Sequence, residues 1–246
     1  MVEKEKVVFI GGKDVGHGVL RTLMEYDNVI SVYSNPSDLE KSWYKQIGEI
    51  TKSRNIPYSV NNINEDIDNL ANKQPDWLIC AYYDGIVSSS VLNIPKKGSI
   101  NIHLGLVQEY RGCYPTTYPI IDGKKYAGVT IHKMTSKIDG GDVYIQEIVN
   151  IADNDTGKSL YDKCTQAAVQ LFEKAWPAIK LGKLNIHQED ISNAVYHKRS
   201  EFPSHEIDLS WGHEKIDLMV RALTFPPFQR PYFMVDGKKF YIMFGE

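Results

Sequence analysis

Short apolar runs alternate with helically spaced segments through the first hundred residues, and few folds accept that order. Residues 7–10 are a continuous apolar run that ends at Gly11-Gly12, and Val15, Val19, Leu20 and Leu23 follow at helical spacing. Strand, glycine turn and helix is the local expectation. Residues 29–33 are a second β-branched run, closed by Asn35-Pro36. A helix is expected over 39–54, a third short strand over 56–60 and another helix over 65–71. Residues 77–82, Trp-Leu-Ile-Cys-Ala-Tyr, are apolar throughout, as a strand covered on both faces would be. Strands separated by helices on a single sheet make the class α/β, an open fold with a mainly parallel sheet.

The middle leaves that pattern. Strand-like runs at 100–103, 129–134 and 143–151 are separated by loops rich in glycine, proline and tyrosine. Asp155 or Thr156 is then placed to cap a long helix with Leu160, Cys164, Ala168, Leu171, Trp176 and Ile179 on one face. Pro177 is expected to kink that helix or end it early, with Gly182 as its final stop. After residue 190 come a polar stretch, a helix over 213–223 and a hairpin of strands 232–235 and 240–244 turning at Asp236-Gly237. The hairpin is apolar on both faces and therefore wants a partner surface. The expected division is a core over 1–190 and an extension over 191–246.

Charge and cysteines narrow the function classes. Lysine and arginine total 28 against 31 aspartates and glutamates, a net charge of −3. Such a chain has no general attraction for a phosphate backbone. Cys80, Cys113 and Cys164 are odd in number and lack CxxC spacing. They read as incidental reduced thiols, with no zinc ribbon or disulfide framework. The opening MVEKEKVVFIGG is too short and wrongly flanked for a signal peptide, and no stretch approaches a membrane span. The expected setting is soluble and cytoplasmic, without nucleic-acid or membrane partners.

Side chains i and i+2 of a strand share a face, which puts Asn101 beside His103. An amide beside an imidazole suits acyl transfer: the amide donates to a developing oxyanion while the imidazole moves a proton. A carboxylate fixes an imidazole's tautomer well, and Asp139 in Lys137-Ile138-Asp139-Gly140-Gly141-Asp142 is the candidate. From spacing alone, a buried histidine satisfied by its neighbours remains an equal reading. The turn Gly11-Gly12-Lys13-Asp14-Val15-Gly16 is neither GxGxxG nor a phosphate loop. A plain strand-to-helix turn accounts for its glycines, yet a helix start with Lys13 beside it also suits a phosphate-bearing ligand. His103, His132 and Cys113 have no metal-motif spacing, so no metal is expected. His132 reads as an ordinary outward or core strand residue.

One ordered set of segments resembles the formyltransferases that use N10-formyltetrahydrofolate. It comprises Ala81-Tyr82-Tyr83-Asp84-Gly85-Ile86-Val87, Val91-Leu92-Asn93-Ile94-Pro95, Gly98-Ser99-Ile100-Asn101-Ile102-His103 and Tyr110-Arg111-Gly112. Gly128-Val129-Thr130-Ile131-His132-Lys133-Met134 and Asp139-Gly140-Gly141-Asp142 complete it. The resemblance implies a Rossmann-like core and gives Asn101, His103 and Asp139 the catalytic positions. It puts Tyr83, Asp84, Gly85, Ile86 and Val87 around the pterin of the folate co-substrate, and Asp142 near it.

The residues after the histidine narrow the acceptor. The tRNA enzymes carry a basic C-terminal domain, whereas residues 191–246 here hold seven basic and seven acidic residues. The loop Leu104-Gly105-Leu106-Val107-Gln108-Glu109-Tyr110-Arg111-Gly112 lacks the serine and proline those enzymes place before tyrosine-arginine-glycine. It resembles the sugar N-formyltransferases of O-antigen and lipopolysaccharide biosynthesis. The first-choice acceptor is dTDP-4-amino-4,6-dideoxyglucose, with Lys13, Gln108, Glu109, Tyr110 and Arg111 as candidate contacts. Arg111 reads equally as a structural ion pair, and the tyrosines of 114–118 as packing. The same resemblance implies a homodimer through the C-terminal region. The alternatives are a methionyl-tRNA formyltransferase-like enzyme, a non-catalytic folate or nucleotide module, and a dinucleotide reductase without its glycine fingerprint.

Overall fold

The computed structural model describes residues 4–39 and 43–243. In chain order its elements are β1 (Lys6–Gly11), α1 (Lys13–Tyr26), β2 (Asn28–Tyr33), α2 (Ile47–Ser53), β3 (Tyr58–Ser59), α3 (Ile67–Lys73), β4 (Trp77–Ala81), α4 (Ser89–Leu92) and β5 (Gly98–His103). Next come β6 (Tyr110–Gly112), α5 (Tyr118–Ile121), β7 (Tyr126–Lys133), β8 (Val143–Asn150), α6 (Gly157–Lys180), β9 (Val195–His197), α7 (His213–Leu223), β10 (Tyr232–Val235) and β11 (Lys238–Tyr241). The chain forms two compact units: residues 1–103, 130–146 and 168–189, and residues 104–129, 147–167 and 190–246. These lines differ from a single division at residue 190, because 104–129 and 147–167 group with the C-terminal segment.

A seven-stranded sheet runs in the order β3-β2-β1-β4-β5-β7-β8. The pairs β1–β2, β1–β4, β2–β3 and β4–β5 are parallel, and β5–β7 is antiparallel. The α/β class and mainly parallel sheet read from the sequence are therefore those of the structure. Every residue of β4 is buried, as its unbroken apolarity required. One face packs Val8, Ile10, Tyr33, Leu78 and Cys80 against Ile63, Leu70, Val91 and Leu92. Elsewhere in this unit α1 buries Val15, Val19, Leu20 and Leu23, and Trp77 meets Trp176 edge to face at 5.4 Å. The Trp176 indole donates to the buried Asp27 carboxylate at 2.6 Å, and Lys180 pairs with the same carboxylate at 2.7 Å.

Several local expectations change. The helix expected over 39–54 is a 3-10 turn at Pro36–Leu39 and then α2, while 40–42 lie outside the described residues. Residues 43–46 are not helical, and the rings of Trp43 and Tyr44 instead meet the Lys13 ammonium at 5.6 and 5.9 Å. The strand expected over 56–60 shortens to β3. The helix expected over 65–71 moves to α3, behind a 3-10 turn at Ile63–Glu65 whose Asn62 side chain accepts from the Asn64 amide. Pro177 does not end α6 at once. Its missing N–H falls in the last turn, and the stop comes at Gly182, with φ of 62° and amide bonds from Gly182 to Ile179 and from Lys183 to Ala178. Thr156 supplies the cap, its hydroxyl accepting from the Ser159 amide at 3.2 Å.

In the second unit β6 pairs in parallel with β9. A small core of Ile207, Met219, Val220 and Leu223 forms around α7. The terminal hairpin turns on two residues with positive φ, Asp236 and Gly237. That two-residue turn starts β11 at Lys238, two positions earlier than expected, with Phe233 stacked on Phe240. The expected end at Phe244 lies outside the described residues. Met234, Val235, Phe240, Tyr241 and Met243 are exposed.

The three cysteines are free. Burial pushes the Cys80 and Cys164 thiols up to about 12, and Cys113 is half-buried. Iodoacetamide at neutral pH is expected to modify Cys113 alone in the native protein, which peptide mass mapping checks. Labelling of Cys80 or Cys164 before unfolding would contradict their burial. Among the described residues no helix is long and apolar enough to cross a membrane.

Candidate active site

Sheet order reverses between β1 and β4, the neighbouring strands from which the chain continues in opposite directions. Loops at the carboxyl ends of such strands open a crevice, the usual binding place in open α/β sheets. The turn after β1 is tight: a Cβ on Gly11 would lie 2.0 Å from the Ala81 carbonyl oxygen, and the Gly12 amide bonds that same oxygen. Lys13 opens α1 with φ of 57°. Its ammonium bonds the Tyr82 hydroxyl at 2.8 Å and lies 4.0 Å from that ring's centre.

The loop after β4 is pinned by two asparagines that sequence reasoning missed. Asn35 donates to the Tyr82 carbonyl at 3.0 Å and accepts from the Asp84 amide at 2.7 Å. Asn64 donates to the Ile86 carbonyl and accepts from the Ser88 amide, both at 2.8 Å. Tyr83 is half-buried, Asp84, Gly85 and Ile86 are exposed, and Val87 is buried. Ile86 is 72% exposed. A fixed backbone with an exposed apolar side chain fits a flat heterocycle held by main-chain groups.

At the end of β5, Asn101 and His103 share a face, as period two requires, and both meet Asp139. Asn101 Nδ2 donates to Asp139 Oδ1 at 3.2 Å, and His103 Nδ1 lies 3.7 Å from Asp139 Oδ2. The latter is an ion-pair separation, of the kind that tightens when substrate closes a site. His103 is buried and Asp139 half-buried. Asp139 sits in the left-handed region, φ 47°, and a short polar side chain tolerates that. Its loop returns against β7, because a Cβ on Gly141 would lie 2.0 Å from the Lys133 carbonyl oxygen. The Lys133 amide closes the return by bonding the Asp142 carbonyl at 2.8 Å. Asp142 itself is partly exposed and paired with Lys133 at 3.2 Å.

His132 belongs to the same cluster. Antiparallel pairing sets it directly opposite Asn101, and it is buried with Nε2 3.2 Å from Asn101 Nδ2 and 3.5 Å from Asp139 Oδ1. No local feature of the sequence marks this, because it depends on β7 running antiparallel to β5 in this register. Among the described residues no group of three His, Cys, Asp or Glu side chains is arranged to hold a metal ion.

The remaining candidates lie in the second unit. The buried Tyr110 hydroxyl donates to Asp122 at 2.7 Å, and burial together with that carboxylate holds the phenol well above its usual range. Glu109 pairs with Lys124 at 3.0 Å, Arg111 lies 6.0 Å from the Tyr196 ring centre, and Gln108 is half-buried.

The model of the formyl transferase family matches residues 5–176. A bifunctional polymyxin resistance protein ArnA of Wigglesworthia glossinidia brevipalpis is 35% identical over 230 residues, covering 90% of this chain. The chain spans only 35% of that protein's length. A methionyl-tRNA formyltransferase of Mycoplasma capricolum is 29% identical over 98% of this chain and 78% of its own. Among solved structures, a 4-N formyltransferase from Francisella tularensis is 22% identical with a TM-score of 0.81, covering 97% of this chain and 96% of that one. The N-formyltransferase from Helicobacter canadensis, in complex with folinic acid and dTDP-3-aminofucose, is 22% identical with a TM-score of 0.80, covering 96% of this chain and 86% of that one. The structural likeness establishes the fold, and the match over residues 5–176 establishes descent: this chain belongs to the formyl transferase family.

Proposed function

We propose that the protein transfers a formyl group from N10-formyltetrahydrofolate to the amine of a nucleotide-linked dideoxy amino sugar, with dTDP-4-amino-4,6-dideoxyglucose as first choice. The observation that carries this is the Asn101–Asp139–His103 cluster at the end of β5, with His103 buried, in a chain of this family. The amine nitrogen bonds to the formyl carbon, and the carbonyl electrons move onto oxygen. Collapse then breaks the bond from that carbon to N10. His103 has Nδ1 toward Asp139, which sets Nε2 on the opposite edge of the ring. From there it takes the amine's proton and returns it to N10, or steadies the oxyanion. Asn101 is the second polar group at the reacting carbon. Tyr83, Asp84, Gly85, Ile86 and Val87, with Asp142, hold the folate. Lys13 and the Gln108, Glu109, Tyr110 and Arg111 segment serve the nucleotide sugar. No step requires a metal.

The acceptor is supported by the evenly charged tail and by the Helicobacter protein, whose complex contains dTDP-3-aminofucose. The Mycoplasma relative favours a second reading, formylation of charged initiator tRNA. Mass analysis after incubation with N10-formyltetrahydrofolate and a panel of dTDP- and UDP-amino sugars separates the two. A formylated sugar is expected. Formyl-methionyl-tRNA with no sugar product would move the assignment to the second reading.

The division into a catalytic core over 1–190 and an extension over 191–246 is proposed as a division of roles. The extension makes a homodimer, and the enzyme works in the cytoplasm for O-antigen or lipopolysaccharide synthesis. The exposed apolar side chains of β10 and β11 support a second copy as their partner. Light scattering is expected to report a dimer for the full chain and a monomer after removal of 230–246. A full-length monomer, or a dimer that survives trimming, would contradict this.

A further inference from the structure

We propose that His132 is a positioning residue of the formyl-transfer site: neutral and protonated at Nδ1, it accepts a hydrogen bond from Asn101 and fixes which end of that amide faces Asp139. The inference rests on the proposed roles of Asn101, His103 and Asp139 and adds a residue that those roles do not use.

The chemistry of the partners sets the tautomer. His132 Nδ1 lies 2.8 Å from the Lys133 carbonyl oxygen, a group that can only accept, so the ring proton belongs on Nδ1. A neutral imidazole has one N–H, which leaves Nε2 with its lone pair. Facing Nε2 at 3.2 Å is the Asn101 amide, which must then present its nitrogen. The Asp139 carboxylate, 3.2 Å from the same nitrogen, makes the same demand. If the amide were reversed, its oxygen would face two other acceptors with no proton between them. Asn101 thus bridges two acceptors whose own separation is 3.5 Å.

The consequence is a chain of contacts anchored in the sheet. It runs from the Lys133 carbonyl through His132 and Asn101 to one oxygen of Asp139, whose other oxygen faces His103. Without His132 the Asn101 amide loses the contact that opposes its rotation, and the carboxylate orienting His103 loses a fixed partner. Groups displaced by small amounts in this way lose rate more than affinity.

Two measurements test this. Long-range proton–nitrogen correlation NMR on the full-length wild-type chain, assigned with His132→Gln, is expected to show a protonated Nδ1 and a bare Nε2. The Nε2 resonance should shift in Asn101→Ala. A proton on Nε2, or on both nitrogens, overturns the proposal, as does an Nε2 signal indifferent to Asn101. In kinetics, His132→Leu is expected to lower kcat roughly 10- to 100-fold with KM for the folate donor nearly unchanged. His132→Gln, which offers a carboxamide oxygen near the place of Nε2, should recover much of the loss. Full kcat in His132→Leu, or a change in KM alone, would overturn it. Failure of the wild type to formylate any acceptor would instead sink the functional reading. The tautomer and its response to Asn101 would still decide the positioning claim.

Discussion

Asp139→Asn is expected to lower kcat for formyl transfer by about 10³- to 10⁴-fold while the folded protein still binds its folate donor. The replacement keeps the volume of the side chain but removes its charge and one of its two acceptors. In the native cluster one carboxylate oxygen accepts from Asn101 at 3.2 Å and the other faces His103 Nδ1 at 3.7 Å. A carboxamide can offer an oxygen to only one of them. If the oxygen stays with Asn101, an NH₂ group faces His103 and favours the wrong tautomer. If it turns to His103, the Asn101 amide meets another donor. His103→Ala removes the proton carrier outright and should lose comparable activity. Steady-state kinetics with calorimetric titration of the folate separates chemistry from binding. Unaltered activity in either variant would show that the reacting centre lies elsewhere.

The largest expected effect on stability lies elsewhere in the same unit. Asp27→Ala should destabilise the fold by about 3–5 kcal/mol, because it strands the Lys180 ammonium and the Trp176 indole N–H inside the protein. The Asp27 side chain has no exposure and that of Lys180 only 12%, so water does not readily replace the lost carboxylate. For a chain of this size the loss corresponds to a fall in Tm on the order of 10 °C. Asp27→Asn, which still offers an oxygen, should cost less. Differential scanning calorimetry of the two variants decides. An Asp27→Ala protein melting within about 2 °C of wild type would show that this buried pair contributes little. Neither residue belongs to the proposed site, so the kcat of whatever remains folded should be unchanged.

What could be read in the sequence was what local chemistry controls. The apolar run of β4 announced a strand buried on both faces. Period two along β5 put Asn101 and His103 on one face, and the helix expected over 213–223 is α7. Pairing across distance was less visible. His132 looked ordinary because its partner, Asn101, lies on another strand. The clamps of Asn35 and Asn64 on the loop after β4 join segments far apart in sequence. The helix expected over 39–54 is interrupted at residues 43–46, where the Trp43 and Tyr44 rings face the Lys13 ammonium. Residues 104–129 and 147–167 belong with the C-terminal unit through contacts of the same kind: β6 pairs with β9, and the Arg221 guanidinium donates to the Asp155 carbonyl at 3.0 Å.

With N10-formyltetrahydrofolate labelled at the formyl carbon by ¹³C, the wild-type chain and dTDP-4-amino-4,6-dideoxyglucose, carbon NMR is expected to show that signal become a formamide on the sugar nitrogen. The conversion should be absent without protein and nearly absent with Asp139→Asn. Label that stays on the folate across the whole panel of amino sugars, or that appears as formate, would contradict the proposed transfer.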